Sequence, residues 1–279
     1  DGVHVFCMPG VPAEMKGMFA DEVLPRLKKL VPGGAVIMER VLHTFGQGES
    51  TVGEKIAERM ARGRNPDVGT TVADGLVSIR IRASAAGEAE ANAMLDDEEN
   101  LIRGLVGDLY VGTDADRMPE AVAKLMTGRG ARLAIAESCT GGLISKMITD
   151  VSGASDFFVE GVVTYANESK VERLGVPDEL IRRHGAVSEP VARAMAEGLR
   201  QRSGATYALA TTGIAGPTGG TPGKPVGLVY VALAGPEGTS VMAPILPGDR
   251  DRVRQRAALA ALNELRLRLL GKGVSGGRG

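Results

Sequence analysis

Hydrophobic and polar positions change period several times along the chain, and each change predicts an element. Residues 76–82 alternate, with Leu76, Ser78, Arg80 and Arg82 against Val77, Ile79 and Ile81, as in a strand with one polar and one buried face. Val36 to Phe45 and the run N-P-D-V-G-T-T-V also read as strands. Between them G-Q-G-E-S-T forms a turn ending in a helix cap, and Val52, Ile56 and Met60 follow at helical spacing. A long helix is predicted from about Gly87 to Gly107, with the acidic run D-D-E-E on its solvated side, and Leu109 to Val111 closes the unit. The order β-α-β-β-α-β over residues 33–113 predicts a small α+β domain.

Residues 114–272 follow another rhythm, short apolar runs alternating with amphipathic stretches. Strands are predicted at Leu133 to Ala136, Phe157 to Thr164, Tyr207 to Thr211, Gly227 to Leu233 and Ser240 to Leu246. Helices are predicted at Pro119 to Thr127, Gly142 to Val151, through Leu174, from Pro177 to Arg183, along Val191, Met195 and Leu199, and from Asp249 to Leu270. Strands alternating with helices and ending in a hairpin predict an α/β fold, a three-layer domain with a mixed sheet. Residues 273–279 read as a frayed tail.

The first 32 residues read as strand (Val3 to Phe6), Pro/Gly loop and helix, whose apolar stripe is Ala13, Met15, Met18, Phe19, Val23 and Leu27. So short a unit cannot bury a core alone. It predicts packing on the rest of the chain, on a second copy in a homodimer, or on a missing N-terminal part, and the start at Asp1 suggests a fragment of a longer protein.

Composition narrows the function classes. Lys plus Arg number 33 against 34 Asp plus Glu, and there is no Trp, so neither a basic face nor a base-stacking platform is indicated and nucleic-acid binding is disfavoured. No apolar run approaches a membrane span, and no signal-peptide pattern is present. Cys7 and Cys139 stand far apart, the pattern of reduced thiols in a cytoplasmic protein. No His/Cys pair has ligand spacing, so neither a metal nor a cofactor is expected.

The candidate chemistry gathers at A-I-A-E-S-C-T-G-G, residues 134–142, a strand emptying into a helix N-terminus whose free amides suit an oxyanion or phosphate. Ser138 and Thr140 place two hydroxyls there; the alternative is that both are helix caps. Ligands of open α/β sheets bind beyond the carboxyl ends of strands, which groups this turn with residues 164–170 and 212–220. Together they hold Ser138, Thr140, Tyr165, Thr212, Lys170 and many glycines, a set suited to acyl transfer by a serine that a lysine deprotonates. His184 is a rival base and Cys139 a rival nucleophile. The loop from Gly213 to Pro225 is long enough to be functional, and Lys224 with G-D-R-D-R-V-R fits an anionic ligand or else a solvated helix face.

The ordered blocks A-E-S-C-T-G-G, F-V-E-G-V-V-T-Y-A-N-E-S-K, G-A-V-S-E-P, T-G-I-A-G-P-T-G-G, K-P-V-G and G-D-R resemble the C-terminal domain of the CinA (competence/damage-inducible protein A) family over about residues 116–271. P-G-V-P-A-E-M resembles the end of that family's molybdopterin-binding-like N-terminal domain, and residues 35–112 resemble its KH-like middle domain. The resemblance implies a nicotinamide-nucleotide amidase that hydrolyses the carboxamide of nicotinamide mononucleotide to nicotinate mononucleotide and ammonia, in pyridine-nucleotide recycling. By motif position Ser138 would be the nucleophile, Lys170 and Tyr165 would handle its proton, and Thr212 would position serine or substrate. Amides near Gly141, Gly142 and Gly213 would form the oxyanion hole, Glu137, Thr140, Asn167 and Lys224 would line the substrate, and Arg250 would meet its phosphate. Longer family members are associated with ADP-ribose pyrophosphatase activity and a divalent metal in the N-terminal domain, which is not expected of this chain. The rival reading is a nucleotide-binding module without turnover.

Overall fold

A computed structural model describes residues 3–30, 35–73 and 75–272. The predicted strand at Val3 to Phe6 is absent; these residues have no regular secondary structure, and Val3 and Val5 are exposed. Helix α1 (Pro12–Met18) passes through a π-helical turn into α2 (Leu24–Leu30). Of the predicted apolar stripe only Val23 is buried, so the segment does not pack its stripe into the core of the described chain.

The middle domain follows its predicted order: β1 (Val36–Thr44), α3 (Glu49–Lys55), β2 (Asp67–Ala73), β3 (Leu76–Ala85), α4 (Glu88–Val106) and β4 (Tyr110–Thr113). The strands form an antiparallel sheet in the order β2-β3-β1-β4. Its core joins Leu42, Val68, Ile79 and Ile81 to Ala91, Leu95, Ile102 and Val106 of α4. The acidic run corrects the expectation. Asp96 and Asp97 are exposed, whereas Glu98 and Glu99 are buried on the core side. Glu98 accepts from Arg59 and Arg64, and Glu99 from Arg40 and Thr113. Arg80 and Arg82 form surface ion pairs with Glu39 and Asp67.

The C-terminal domain comprises α5 (Met118–Gly128), β5 (Leu133–Glu137), α6 (Leu143–Thr149), β6 (Phe158–Val163), α7 (Asn167–Leu174), α8 (Asp178–His184), α9 (Glu189–Ser203), β7 (Tyr207–Gly213), β8 (Val229–Gly235), β9 (Gly238–Met242) and α10 (Arg250–Leu269). Its sheet runs β6-β5-β7-β8-β9, parallel across β6, β5 and β7 and antiparallel beyond. One apolar layer lies under α5, α6 and α10, the other under α7, α8 and α9, which gives three layers. The inner strands β5 and β7 are buried on both faces and read as nearly continuous apolar runs, whereas β6, at the sheet edge, is only partly covered. Arg266 of α10 ties the two domains, donating to the carbonyls of Asp108 and Tyr110. Among the described residues no helix is long and apolar enough to cross a membrane.

Candidate active site

The parallel trio brings three turns to one edge. Glu137 is level with Val163 on β6 and with Thr211 on β7, so the next residues, Ser138, Thr164 and Thr212, lie level where the strands end. Side chains alternate between faces. Ala136, Ala210 and Val162 face the layer under α7 to α9, while Glu137 and Thr211 point to the opposite layer. Ser138, Thr164 and Thr212 therefore form a row of hydroxyls on the α7–α9 face, all of them buried.

The turn after β5 is built on Glu137. Its carboxylate accepts from the amides of Gly142 (2.9 Å), Ile144 (3.1 Å) and Ser145 (2.8 Å) and from the Ser145 hydroxyl (2.8 Å). It caps α6 in the way expected of Ser138 or Thr140, with the favourable sign for a helix N-terminus. Glu137, expected at the substrate, is instead fully buried structure. Thr140 shares that fate: its Oγ1 is 2.8 Å from Thr211 Oγ1 and its carbonyl accepts from Arg254 Nη2 at 2.9 Å. The Gly141 amide donates to the Ser138 carbonyl and the Gly142 amide to Glu137, so these two expected oxyanion donors are already partnered. Gly142 turns the chain at φ +92°, a conformation that disfavours any side chain.

Lys170 lies within the first turn of α7 and is 1 % exposed. Its Nζ donates to the carbonyls of Thr164 (2.8 Å) and Tyr165 (3.1 Å) and lies 3.2 Å from Ser138 Oγ. Burial pulls its pKa below the ordinary lysine value. In the neutral amine the two carbonyls take the two N–H groups, and the lone pair is left facing the Ser138 hydroxyl. Cys139 is excluded as nucleophile by its surroundings. It packs in the layer under α6 and α10, and burial pushes its thiol up to about 11. His184 ends α8, where its carbonyl accepts from Lys224 Nζ at 2.7 Å, and the hydrogen-bond partner of Ser138 Oγ is Lys170.

Tyr165 is placed otherwise than a base should be. It is 61 % exposed, and its hydroxyl accepts from Arg250 Nη2 at 3.1 Å; only its carbonyl touches Lys170. Arg250 Nη1 also donates to the Gly216 carbonyl at 2.9 Å, joining the β6–α7 turn to the long loop after β7. Thr212 Oγ1 donates to the Ala186 carbonyl at 2.8 Å, holding the α8–α9 loop rather than the serine. Asn167 is exposed at the start of α7. Gly213 is required by crowding, since a Cβ there would sit 2.7 Å from the Leu228 carbonyl oxygen. Two residues inside segments singled out in the sequence take roles that the sequence reading did not assign. Arg254, one turn beyond Arg250 and so on the same helix face, grips the Ser138 turn through the Thr140 carbonyl, and Thr164 completes the hydroxyl row.

Comparison with known proteins agrees with this architecture. Residues 115–269 match the CinA C-terminal domain, and residues 39–112 match the damage-inducible protein CinA KH domain. A competence-damage inducible protein of Symbiobacterium thermophilum is 47 % identical over 277 residues, covering 96 % of this chain and 65 % of the relative. A CinA-like protein of Gloeobacter violaceus is 43 % identical, covering 96 % and 63 %. The chain thus spans about two thirds of the length of these relatives. Among solved structures, a CinA superfamily protein of Klebsiella pneumoniae aligns with a TM-score of 0.54 at 34 % identity, over 55 % of this chain and 96 % of that one. A competence/damage inducible protein of Agrobacterium tumefaciens aligns at 0.53 and 38 %, over 55 % and 93 %. On the family match over both domains, the chain belongs to the CinA family.

Proposed function

We propose that the C-terminal domain is a serine amidase that hydrolyses the carboxamide of nicotinamide mononucleotide to nicotinate mononucleotide and ammonia. The observation that carries this reading is the buried Lys170 Nζ, 3.2 Å from Ser138 Oγ, with two backbone carbonyls fixing its other bonds. Neutral Lys170 takes the Ser138 proton as Oγ attacks the carboxamide carbon. The carbonyl oxygen becomes an oxyanion; of the three amides expected to hold it, those of Gly141 and Gly142 are committed to Ser138 and Glu137, which leaves that of Gly213 for this role. Protonated Lys170 then gives its proton to the departing nitrogen, ammonia leaves, and the acyl group remains as an ester on Ser138. Water attacks that ester, its proton passes through Lys170 to Ser138 Oγ, and the carboxylate is released. Arg250, anchored by Gly216 and Tyr165 beside the nucleophile turn, supplies the positive charge suited to the nucleotide phosphate.

Ammonia release from nicotinamide mononucleotide, by the chain and by Ser138→Ala, tests the reading. The wild type should turn over. The variant should lose about four orders of magnitude or more in kcat while keeping its melting temperature and binding the nucleotide within a few-fold. A folded wild type that binds the nucleotide and releases no ammonia is a binding module, and the amidase reading is then wrong.

A further inference from the structure

Among the described residues only two buried side-chain polar atoms lack a hydrogen-bond partner, Nε of Arg64 in the middle domain and Oγ1 of Thr164. A buried hydroxyl without a partner costs folding free energy, so its retention calls for an explanation. Thr164 is fully buried, its amide donates to the Glu137 carbonyl, and its own carbonyl accepts from Lys170 Nζ. It also stands level with Ser138 on the neighbouring strand, with its side chain on the same face, about 5 Å away across the sheet.

We propose that Thr164 Oγ1 holds the hydrolytic water in the second half of the amidase reaction; this rests on the Ser138–Lys170 reading above. In acylation Lys170 already meets the serine hydroxyl and needs no help. Deacylation differs. The Ser138 oxygen is then esterified, and the group that must face Lys170 is a water molecule among buried side chains. That water needs a second polar partner to fix it against the ester carbon. The hydroxyl row offers two neighbours of Ser138. Thr212 is committed to the Ala186 carbonyl, whereas Thr164 is uncommitted and its carbonyl adjoins the base. Water oxygen bonds to the acyl carbon, its proton goes to Lys170, the carbon–Oγ bond breaks, and Lys170 returns the proton to Ser138.

The test compares wild type, Thr164→Val and Thr164→Ser by rapid mixing with nicotinamide mononucleotide, following ammonia and the mass of the acid-quenched chain. Thr164→Val keeps the side-chain shape and removes only the hydroxyl. It should release about one equivalent of ammonia per chain at the wild-type rate, then turn over at least about tenfold more slowly while acyl adduct accumulates on Ser138. Its melting temperature should be unchanged or higher, because an unpartnered buried hydroxyl has gone, which a structural role would reverse. Thr164→Ser should recover most of the turnover. A Thr164→Val enzyme with wild-type turnover and no adduct, or one whose first ammonia is slowed equally, overturns this inference and leaves the amidase reading standing. A wild type that releases no ammonia overturns both.

Discussion

The two domains bury polar groups in opposite ways. In the middle domain Glu98 and Glu99 lie on the core face of α4, and each oxygen has a partner: Arg59 and Arg64 for one residue, Arg40 and Thr113 for the other. His43 is equally settled between Ser78 Oγ and the Asp114 carbonyl. At the edge of the C-terminal sheet, Lys170 keeps one direction for Ser138, and Thr164 keeps a hydroxyl with no partner. The middle-domain carboxylates are saturated and fix a fold, although Arg64 of the Glu98 cluster keeps an unpartnered Nε; beside Ser138 the bond left open adjoins a hydroxyl and an amine, where it has capacity for chemistry. The turn that presents Ser138 shows both kinds side by side. Glu137 is saturated by four donors, and the next residue along the chain is the proposed nucleophile.

Substitutions sharpen this contrast. After Ser138→Ala, the largest effect should come from Lys170→Arg, which keeps charge and donors but cannot be deprotonated. Ammonia release should fall by about 10²- to 10⁴-fold in a variant that still melts cooperatively; activity within a few-fold of wild type would mean that the lysine acts as a cation and not as a base. Next is Glu98→Ala, which leaves Arg59 and Arg64 without their acceptor. Chemical denaturation should show a loss of about 2 kcal/mol, below the cost of breaking a fully buried pair because the two arginine side chains are 23 % and 30 % exposed. Its kcat should match wild type, since none of these groups touches the site. The smallest effect should be that of Arg254→Gln, which weakens the grip on the Thr140 carbonyl. A several-fold fall in kcat with KM nearly unchanged, partly restored in Arg254→Lys, would mark it as a residue that positions the serine turn.

Much of this was legible in the sequence, because period and punctuation are local. The alternation at Leu76 to Arg82 became β3 with Val77, Ile79 and Ile81 buried, and the glycine turn after Ala134 to Glu137 ended β5 where expected. What depended on distant partners was not. Glu98 meets an arginine 39 residues away and so read as solvated. The signal was present nonetheless: Glu98 and Glu99 fall three and four residues after Leu95, on the stripe that continues to Ile102 and Val106. Strand alternation likewise would have sent Glu137 and Ser138 to opposite faces, separating the cap from the nucleophile. The direction of Tyr165 and the grip of Arg254 had no such signal, since both follow from where α10 docks. The N-terminal segment misled for another reason. Val3 to Phe6 have strand-forming side chains, but pairing needs a partner strand, and they join neither sheet of the described residues.

The proposed amidase reaction requires Lys170 as a neutral amine, and the pH dependence of wild-type kcat/KM tests this most directly. Burial depresses the Lys170 pKa, so deprotonation, and with it the rate, should rise with pH through a single limb centred below the ordinary lysine value of 10.5. A limb centred at that ordinary value, or a rate that falls as Lys170 loses its proton, would contradict the account.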